Sequence, residues 1–264
     1  MRSPVRAKKH LGQHFLRDEN VALKIVDALA PLSFDSLIEV GAGDGVLSKH
    51  LVERYRKLEL FDVDQESIDY LKRTYPIHVD KIKLQDFLQW DIKDEIAVIG
   101  NFPYNISSQI VFKIIENKYN VVGMVGMFQK EVAARIASKK GSRVYGIISV
   151  LTQAYYDVEY LFTVDAQAFE PPPKVQSGVI ILKRKEILKL DCDEIAFKSI
   201  VKRSFNQRRK MLRKSLKDLI NEENSKLIDR YLTMRPEQLD YTEFVELTNA
   251  LAPLKLLYFL LDHY

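Results

Sequence analysis

The chain has 264 residues, 47% hydrophobic and 29% charged, with a net charge of only +4, so a sizeable core with a charged surface is expected and no strongly one-signed protein. No apolar run approaches the ~20 residues that cross a bilayer, and the basic start from Met1 to His10 lacks the apolar segment of a signal peptide. The single Cys192 excludes an internal disulfide and any cysteine-based metal site, so a cytoplasmic protein with no membrane segment and no metal is expected.

From Arg2 to Arg17 there are five Lys/Arg and no acid. Asp18 or Asn20 is placed to cap a helix whose Val21, Ile25, Val26 and Leu29 share one face, closed by Pro31. Ser36 to Val40 reads as a buried strand running into Gly41-Ala42-Gly43-Asp44-Gly45, and a helix follows through Leu47, Leu51 and Val52. A strand from Leu58 to Phe61 ends at Asp62, a helix carries Ile68 and Leu71 to Tyr75-Pro76, and a short strand at Ile82 to Leu84 runs to Asp86. Ile96 to Ile99 is the next strand, ending in Gly100-Asn101-Phe102-Pro103-Tyr104-Asn105 before a helix that opens at Ser107.

The alternation continues with a strand from Val121 to Phe128 and a helix holding Val132, Ala133 and Ile136, broken at Gly141-Ser142. Tyr145 to Ala154 reads as helical and Val158 to Val164 as a strand. The stretch Phe169-Glu170-Pro171-Pro172-Pro173-Lys174 is an extended polyproline linker, and a last strand runs from Val175 to Leu182. Strands alternating with helices predict an α/β fold, a mostly parallel sheet with helices on both faces. After Lys183-Arg184-Lys185 only helical stripes remain, through Ile195, Ile200, Val201 and Phe205, then Leu212, Leu216, Leu219 and Ile220, then Leu227 to Leu232 and Phe244 to Leu251. A boundary near residue 185 is therefore expected, with an α/β domain at 1–185 and an all-helical domain at 186–264.

Lys198 to Lys217 holds nine Lys/Arg and no acid. The apolar spacing buries one helix face, so the cations occupy the rest, which points to a polyanionic partner bound through its phosphates.

A strand, a glycine-rich loop and a helix in succession form a nucleotide-fold fingerprint, because glycine lets the backbone turn sharply and approach a ligand closely. The loop is Gly-x-Gly-x-Gly with Asp44 beside it and no basic residue before Lys49. That is a poor seat for a pyrophosphate and an acceptable one for a sulfonium with an amino-acid tail; the loop alone leaves both cofactor classes open. Asp62, about 20 residues beyond the glycines, is placed to accept from two ribose hydroxyls, and Asp86 to accept from an adenine amino group. Three successive strand ends of this kind point to S-adenosylmethionine.

Asn101, Pro103 and Tyr104 fit the alkylation of an amino group on an aromatic ring. Such a nitrogen delocalises its lone pair, and two acceptors on its hydrogens would favour a pyramidal nucleophile. Tyr104 adds a flat face for a planar base.

With these motifs the chain resembles the KsgA-type rRNA adenine dimethyltransferases, which are related to eukaryotic enzymes and to the Erm resistance methylases. The resemblance runs from Leu11-Gly12-Gln13-His14-Phe15-Leu16, where His14 replaces a commoner Asn, through Glu39 to Gly45, Asp86, Gly100 to Ser107 and Gln129-Lys130-Glu131-Val132. It continues through Phe169 to Val175 and ends at Phe205-Asn206-Gln207-Arg208-Arg209-Lys210. Phe102 stands where Leu or Ile is usual, and Asp62 where Glu is commoner.

The resemblance implies a Rossmann-like methyltransferase sheet of seven strands, the last antiparallel, and a C-terminal helical RNA-binding domain. It implies transfer of four methyl groups to the N6 atoms of two adjacent adenosines near the 3′ end of small-subunit (16S) rRNA, within an immature small ribosomal subunit, by a monomer. His14, Leu16, Gly41, Gly43, Asp62, Asp86 and Asn101 would line the cofactor site. Tyr104 and Phe169 would sandwich the flipped adenine while Asn101 and the Pro103 carbonyl hold its amine, and Arg208, Arg209 and Lys210 would contact the RNA. Three alternatives remain: an Erm-like 23S rRNA methylase, an assembly factor acting mainly by binding, and a small-molecule methyltransferase.

Overall fold

The structure, a computed structural model, describes residues 5–251 of the chain. The first four residues of the N-terminal basic stretch, with Arg2, and the last residues of the helical domain therefore lie outside the described residues. One compact unit holds the chain up to residue 137 together with 156–185; a second holds 138–155 with the chain from 186 onward.

The first unit carries nine strands: β1 (Phe15–Leu16), β2 (Ser36–Val40), β3 (Leu58–Asp62), β4 (Ile82–Leu84), β5 (Ile96–Asn101), β6 (Val121–Gln129), β7 (Tyr156–Val164), β8 (Phe169–Glu170) and β9 (Ser177–Arg184). Seven of them form one sheet in the order β4-β3-β2-β5-β6-β9-β7, and β1 pairs with β8. In the seven-stranded sheet β9 runs antiparallel to both of its neighbours and the other pairs are parallel; β1 and β8 are antiparallel. The central strands read as continuous apolar runs because both faces are covered: Ile96, Ala97, Val98 and Ile99 are all buried, as are Val121, Met124, Val125 and Phe128.

Helices α1 (Glu19–Asp27), α2 (Ser48–Leu51), α3 (Gln65–Thr74), α4 (Ser107–Glu116) and α5 (Lys130–Ala137) belong to the same unit. Asp18 is the cap of α1, its carboxylate accepting from the N–H groups of Asn20 and Val21, an arrangement worth ~1 kcal/mol. The helix expected after the glycine loop is a single turn, Ser48–Leu51.

Chain order fixes where a ligand can bind. After β2 the chain builds β3 and β4 on one side, then returns to lay β5 and β6 on the other. The reversal opens a crevice beyond the ends of β2 and β5, where the glycine loop and the Asn101–Tyr104 segment stand.

The second unit is helical: α6 (Ile147–Tyr155), α7 (Glu194–Asn206), α8 (Leu212–Ser215), α9 (Glu222–Leu227), α10 (Asp229–Leu232) and α11 (Tyr241–Leu251). A single boundary near residue 185 is expected from the sequence; the packing also places 138–155 with the C-terminal helices. The reason is an aromatic core, in which Tyr145 lies 6.3 Å from Phe205 and Phe205 lies 6.1 Å from Phe244. Asp193 caps α7 through the Ala196 N–H. The helical stripe expected from Leu212 to Ile220 divides into α8 and a 3-10 turn at Lys217–Leu219. Among the described residues, no helix is long and apolar enough to cross a membrane.

Candidate active site

The crevice is a cleft of about 840 Å³, counting its open mouth, lined by residues 11–16, the glycine loop, the ends of β3 and β4, and the segment after β5. Among the described residues four acidic side chains line it, Glu39, Asp44, Asp62 and Asp86, and no Lys or Arg does. Asp44 is paired with Arg17 and burial favours the neutral form of Glu39, so the lining offers acceptors and no cation of its own, which disfavours a pyrophosphate. Gly43 has a φ of +56°, and a Cβ there would come 2.9 Å from the Phe15 ring, so only glycine lets the loop and the N-terminal segment close on each other.

Asp62 is buried and accepts from two backbone donors, Gly43 N–H at Oδ2 and Asp64 N–H at Oδ1, both at 2.8 Å. Each oxygen keeps a further lone pair. Burial raises the Asp62 pKa against these two bonds. Asp86 accepts from the Leu88 N–H at Oδ1, 2.9 Å, which leaves its other oxygen without a donor among the described residues.

Glu39, which the sequence offered only as part of a motif, is 1% exposed and accepts from Ser48 Oγ at 2.7 Å. Burial pushes its carboxyl up to about 8; Ser48 opposes the shift, and the Asp62 and Asp44 charges add to it. Its signal was legible: an acid within an otherwise apolar buried strand.

The segment from Lys8 to Arg17 is fastened along its length. Lys8 Nζ and Gln13 Nε2 both donate to the buried Asp64. Burial works against that carboxylate, but the Lys8 and Gln13 donors hold its pKa below the ordinary value. Arg17 pairs with Asp44 at 2.6 Å and with Glu170 at 3.5 Å, joining the glycine loop to the polyproline segment. His14 Nδ1 lies 2.8 Å from the Pro171 carbonyl. A carbonyl only accepts, so that nitrogen carries the proton.

The Asn101 amide is oriented the same way, because Nδ2 donates to the His14 carbonyl at 2.8 Å and leaves Oδ1 as a free-facing acceptor. Phe102 is buried in a niche: a Cβ on Gly126 would lie 2.3 Å from its ring and one on Gly100 2.7 Å. Two glycines thus make room for the Phe102 ring. The Pro103 carbonyl already accepts from Ile106 N–H at 3.2 Å and Ser107 Oγ at 3.1 Å. No donor among the described residues reaches the Phe102 carbonyl, which makes it the better-placed second acceptor.

Tyr104 is held at both ends. Its hydroxyl lies 2.6 Å from the buried Ser177 Oγ and its ring 5.3 Å from the His14 ring. Burial raises the Tyr104 pKa, against the Ser177 hydrogen bond.

Phe169 departs from expectation. The residue is 4% exposed, belongs to the hydrophobic core and is not among the residues that line the cleft. The cause is the β1–β8 pairing, which sets Phe169 opposite Leu16, itself fully buried and part of the cleft wall. Gly41 lies beside Pro103, and a Cβ there would approach its ring to 3.5 Å.

In the second unit, the cations expected to meet RNA divide. Arg208 is half-buried, donating to the Ser142 carbonyl at 3.2 Å and standing 4.0 Å from Glu237. Arg209 and Lys210 are exposed.

A family model described as ribosomal RNA adenine dimethylase matches residues 5–252. The ribosomal RNA small subunit methyltransferase A of Flavobacterium johnsoniae is 50% identical over 252 residues, covering 94% of this chain and 96% of the relative. The protein of that name from Cytophaga hutchinsonii is 49% identical over 254 residues, covering 94% and 98%. Among solved structures, a dimethyladenosine transferase from Plasmodium falciparum aligns with a TM-score of 0.77 at 23% identity, covering 89% of this chain and 96% of that one. The 23S rRNA methyltransferase ErmE aligns at 0.70 and 24%, covering 90% and 99%. At those identities the structural likeness speaks to the fold.

Proposed function

The chain belongs to the ribosomal RNA adenine dimethylase family, and from that premise we propose that it methylates N6 of two adjacent adenosines near the 3′ end of small-subunit rRNA, using S-adenosylmethionine. The observation that carries this reading is the oriented Asn101 amide at the rim of a cleft that Asp62 and Asp86 also line.

The residues present fit the cofactor. Gly41 and Gly43 hold φ of +74° and +56°, a backbone that glycine takes without strain and that brings the loop to the cleft wall, and Asp62 and Asp86 offer lone pairs for ribose hydroxyls and an adenine amino group. His14 and Leu16 close the same wall. When bound, S-adenosylmethionine supplies an electrophilic methyl group.

The chain's own part is to hold a poor nucleophile. Asn101 Oδ1 accepts one N6 hydrogen and the Phe102 carbonyl the other; the Pro103 carbonyl, which accepts from the Ile106 N–H and shares the Ser107 hydroxyl with the Tyr104 carbonyl, serves the turn. Two such acceptors favour a pyramidal nitrogen and stabilise the positive charge that develops on it. Tyr104 receives the flipped base on its face. Phe169 supplies a second ring if the two-residue β1–β8 pair parts.

Arg209 and Lys210, with Arg208 bracing them, contact phosphates and so position the RNA without reading its sequence. The substrate is an immature small subunit, met in the cytoplasm by a monomer during ribosome biogenesis. Relatives named for the small subunit at 49–50% identity support that target over a large-subunit one.

The test is to incubate the protein and labelled S-adenosylmethionine with immature small and large subunits and to analyse the rRNA by mass spectrometry. Two adjacent dimethyladenosines in small-subunit rRNA are expected. Label only in large-subunit rRNA, or none in either with a cofactor-binding protein, overturns the reading.

A further inference from the structure

The second unit contains a basic loop that the run from Lys198 to Lys217 does not include. Residues 138–146 link α5 to α6 and hold Lys139, Lys140 and Arg143. The loop is pinned from several sides. Gly141 N–H donates to the Glu237 carbonyl at 2.6 Å, Gln153 Nε2 to the Ser138 carbonyl at 2.8 Å, and Arg208 Nη2 to the Ser142 carbonyl at 3.2 Å.

Its cations have two distinct fates. Lys140 sits between Asp240 at 2.8 Å and Glu243 at 2.7 Å, and Arg208 faces Glu237. These two cations act as struts: one acidic mount, residues 237–243, fastens both the loop and the start of the C-terminal basic block. With those acids engaged, Lys139 and Arg143 on the loop and Arg209 and Lys210 on the block are exposed and have no acidic partner among the described residues. The Arg208–Ser142 bond brings the two pairs near each other: Arg143 and Arg209 are each one residue from the contact, Lys210 two and Lys139 three. A fixed turn carrying unpaired cations is preorganised for a polyanion, because little is lost in ordering it on binding.

We propose that Lys139 and Arg143 form, with Arg209 and Lys210, one phosphate-binding surface for the rRNA. This rests on the RNA substrate proposed above. Phosphate contacts make binding salt-dependent, with a slope in log K against log[salt] of roughly −0.7 to −0.9 per contact.

The experiment measures that slope for the full chain, with immature small subunits and with rRNA extracted from them. The double variant Lys139→Gln/Arg143→Gln is compared with a control, Lys189→Gln/Lys226→Gln, which removes two exposed cations elsewhere in the same unit. The loop variant should lose about 1.4–1.8 from the slope and bind about ten- to fifty-fold more weakly near 0.1 M salt, with both probes. The control should match the parent. Unchanged melting temperature and cofactor affinity establish that the loop variant is folded. A parental slope in the loop variant overturns the inference and leaves the RNA reading standing. A loss seen with particles but not with extracted rRNA assigns the loop to a ribosomal protein and also overturns it. A parent without salt-dependent binding overturns both.

Discussion

The Asn101 side chain donates through Nδ2 to the backbone carbonyl of His14, 2.8 Å away, so one contact both orients the amide and ties down the N-terminal segment. Asn101→Ala removes the acceptor expected to strengthen as the target nitrogen pyramidalises. Loss of one such partner typically costs ~10²–10³-fold in rate. Single-turnover methylation of bound particles, with S-adenosylmethionine saturating, should show that loss while particle affinity stays near parental. Asn101→Asp keeps an oxygen toward the substrate but sets a carboxylate against the His14 carbonyl, so it should fall between the two and bind cofactor more weakly. A parental rate for Asn101→Ala would sink the catalytic assignment.

Ser177 is expected to act through Tyr104 by fixing the plane of the ring. Tyr104→Phe and Ser177→Ala each break the same hydrogen bond at 2.6 Å. Both should raise KM for the particle more than they lower kcat, and the double variant should do little more than either single one. Additive effects in that cycle would mean the two residues act independently.

Phe169 tests whether a ring now in the core also meets the base. Phe169→Leu keeps an apolar side chain but removes part of a buried ring, a large-to-small core change expected to cost roughly 1–2 kcal/mol. The melting temperature should therefore fall only a few degrees. Base stacking on an aromatic is worth ~1–3 kcal/mol, so KM for the particle should rise about five-fold or more. A parental KM would make Phe169 a core residue alone.

Glu39 makes the stability of the ligand-free protein depend on pH. Its folded pKa of about 8 lies above its ordinary 4.5, so the native state binds the extra proton between those values. Stability is then highest below about pH 4.5 as far as this group is concerned, falls as pH rises, and reaches its floor above about 8. At ~1.4 kcal/mol per unit the whole effect is a few kcal/mol. Glu39→Gln retains a neutral acceptor for Ser48 and should flatten that slope, melting higher than the parent at pH 8. Parallel pH profiles for the two proteins would remove Glu39 as the cause.

Much of this was legible in the sequence because the signals are periodic or local. Apolar runs flanked by Gly41 and Asn101 mark the central strands, and successive strand ends mark Asp62 and Asp86, which both line the cleft. What escaped depends on distance along the chain. Ser177 reaches Tyr104 across 73 positions and Asp64 reaches Lys8 across 56, and neither leaves a spacing to read. The resemblance alone put Phe169 at the cleft; its pairing with Leu16 across the two-residue β1–β8 ladder leaves no local spacing to read. Residues 138–155 look continuous with the α/β alternation, and only their aromatic partners, some 60 to 100 positions later, reveal another allegiance.

That last feature has a consequence for how the chain can be made and cut. The polypeptide leaves the sheet unit after residue 137, returns at 156 to add β7, β8 and β9, and leaves again after 185. During synthesis, Tyr145, Ile148 and Leu151 emerge well before α7 and α11, the helices that cover them. An unshielded apolar helix must wait on a nascent chain, a state open to off-pathway association. Truncation after residue 185 makes that wait permanent, so the sheet unit is not separable as a contiguous fragment.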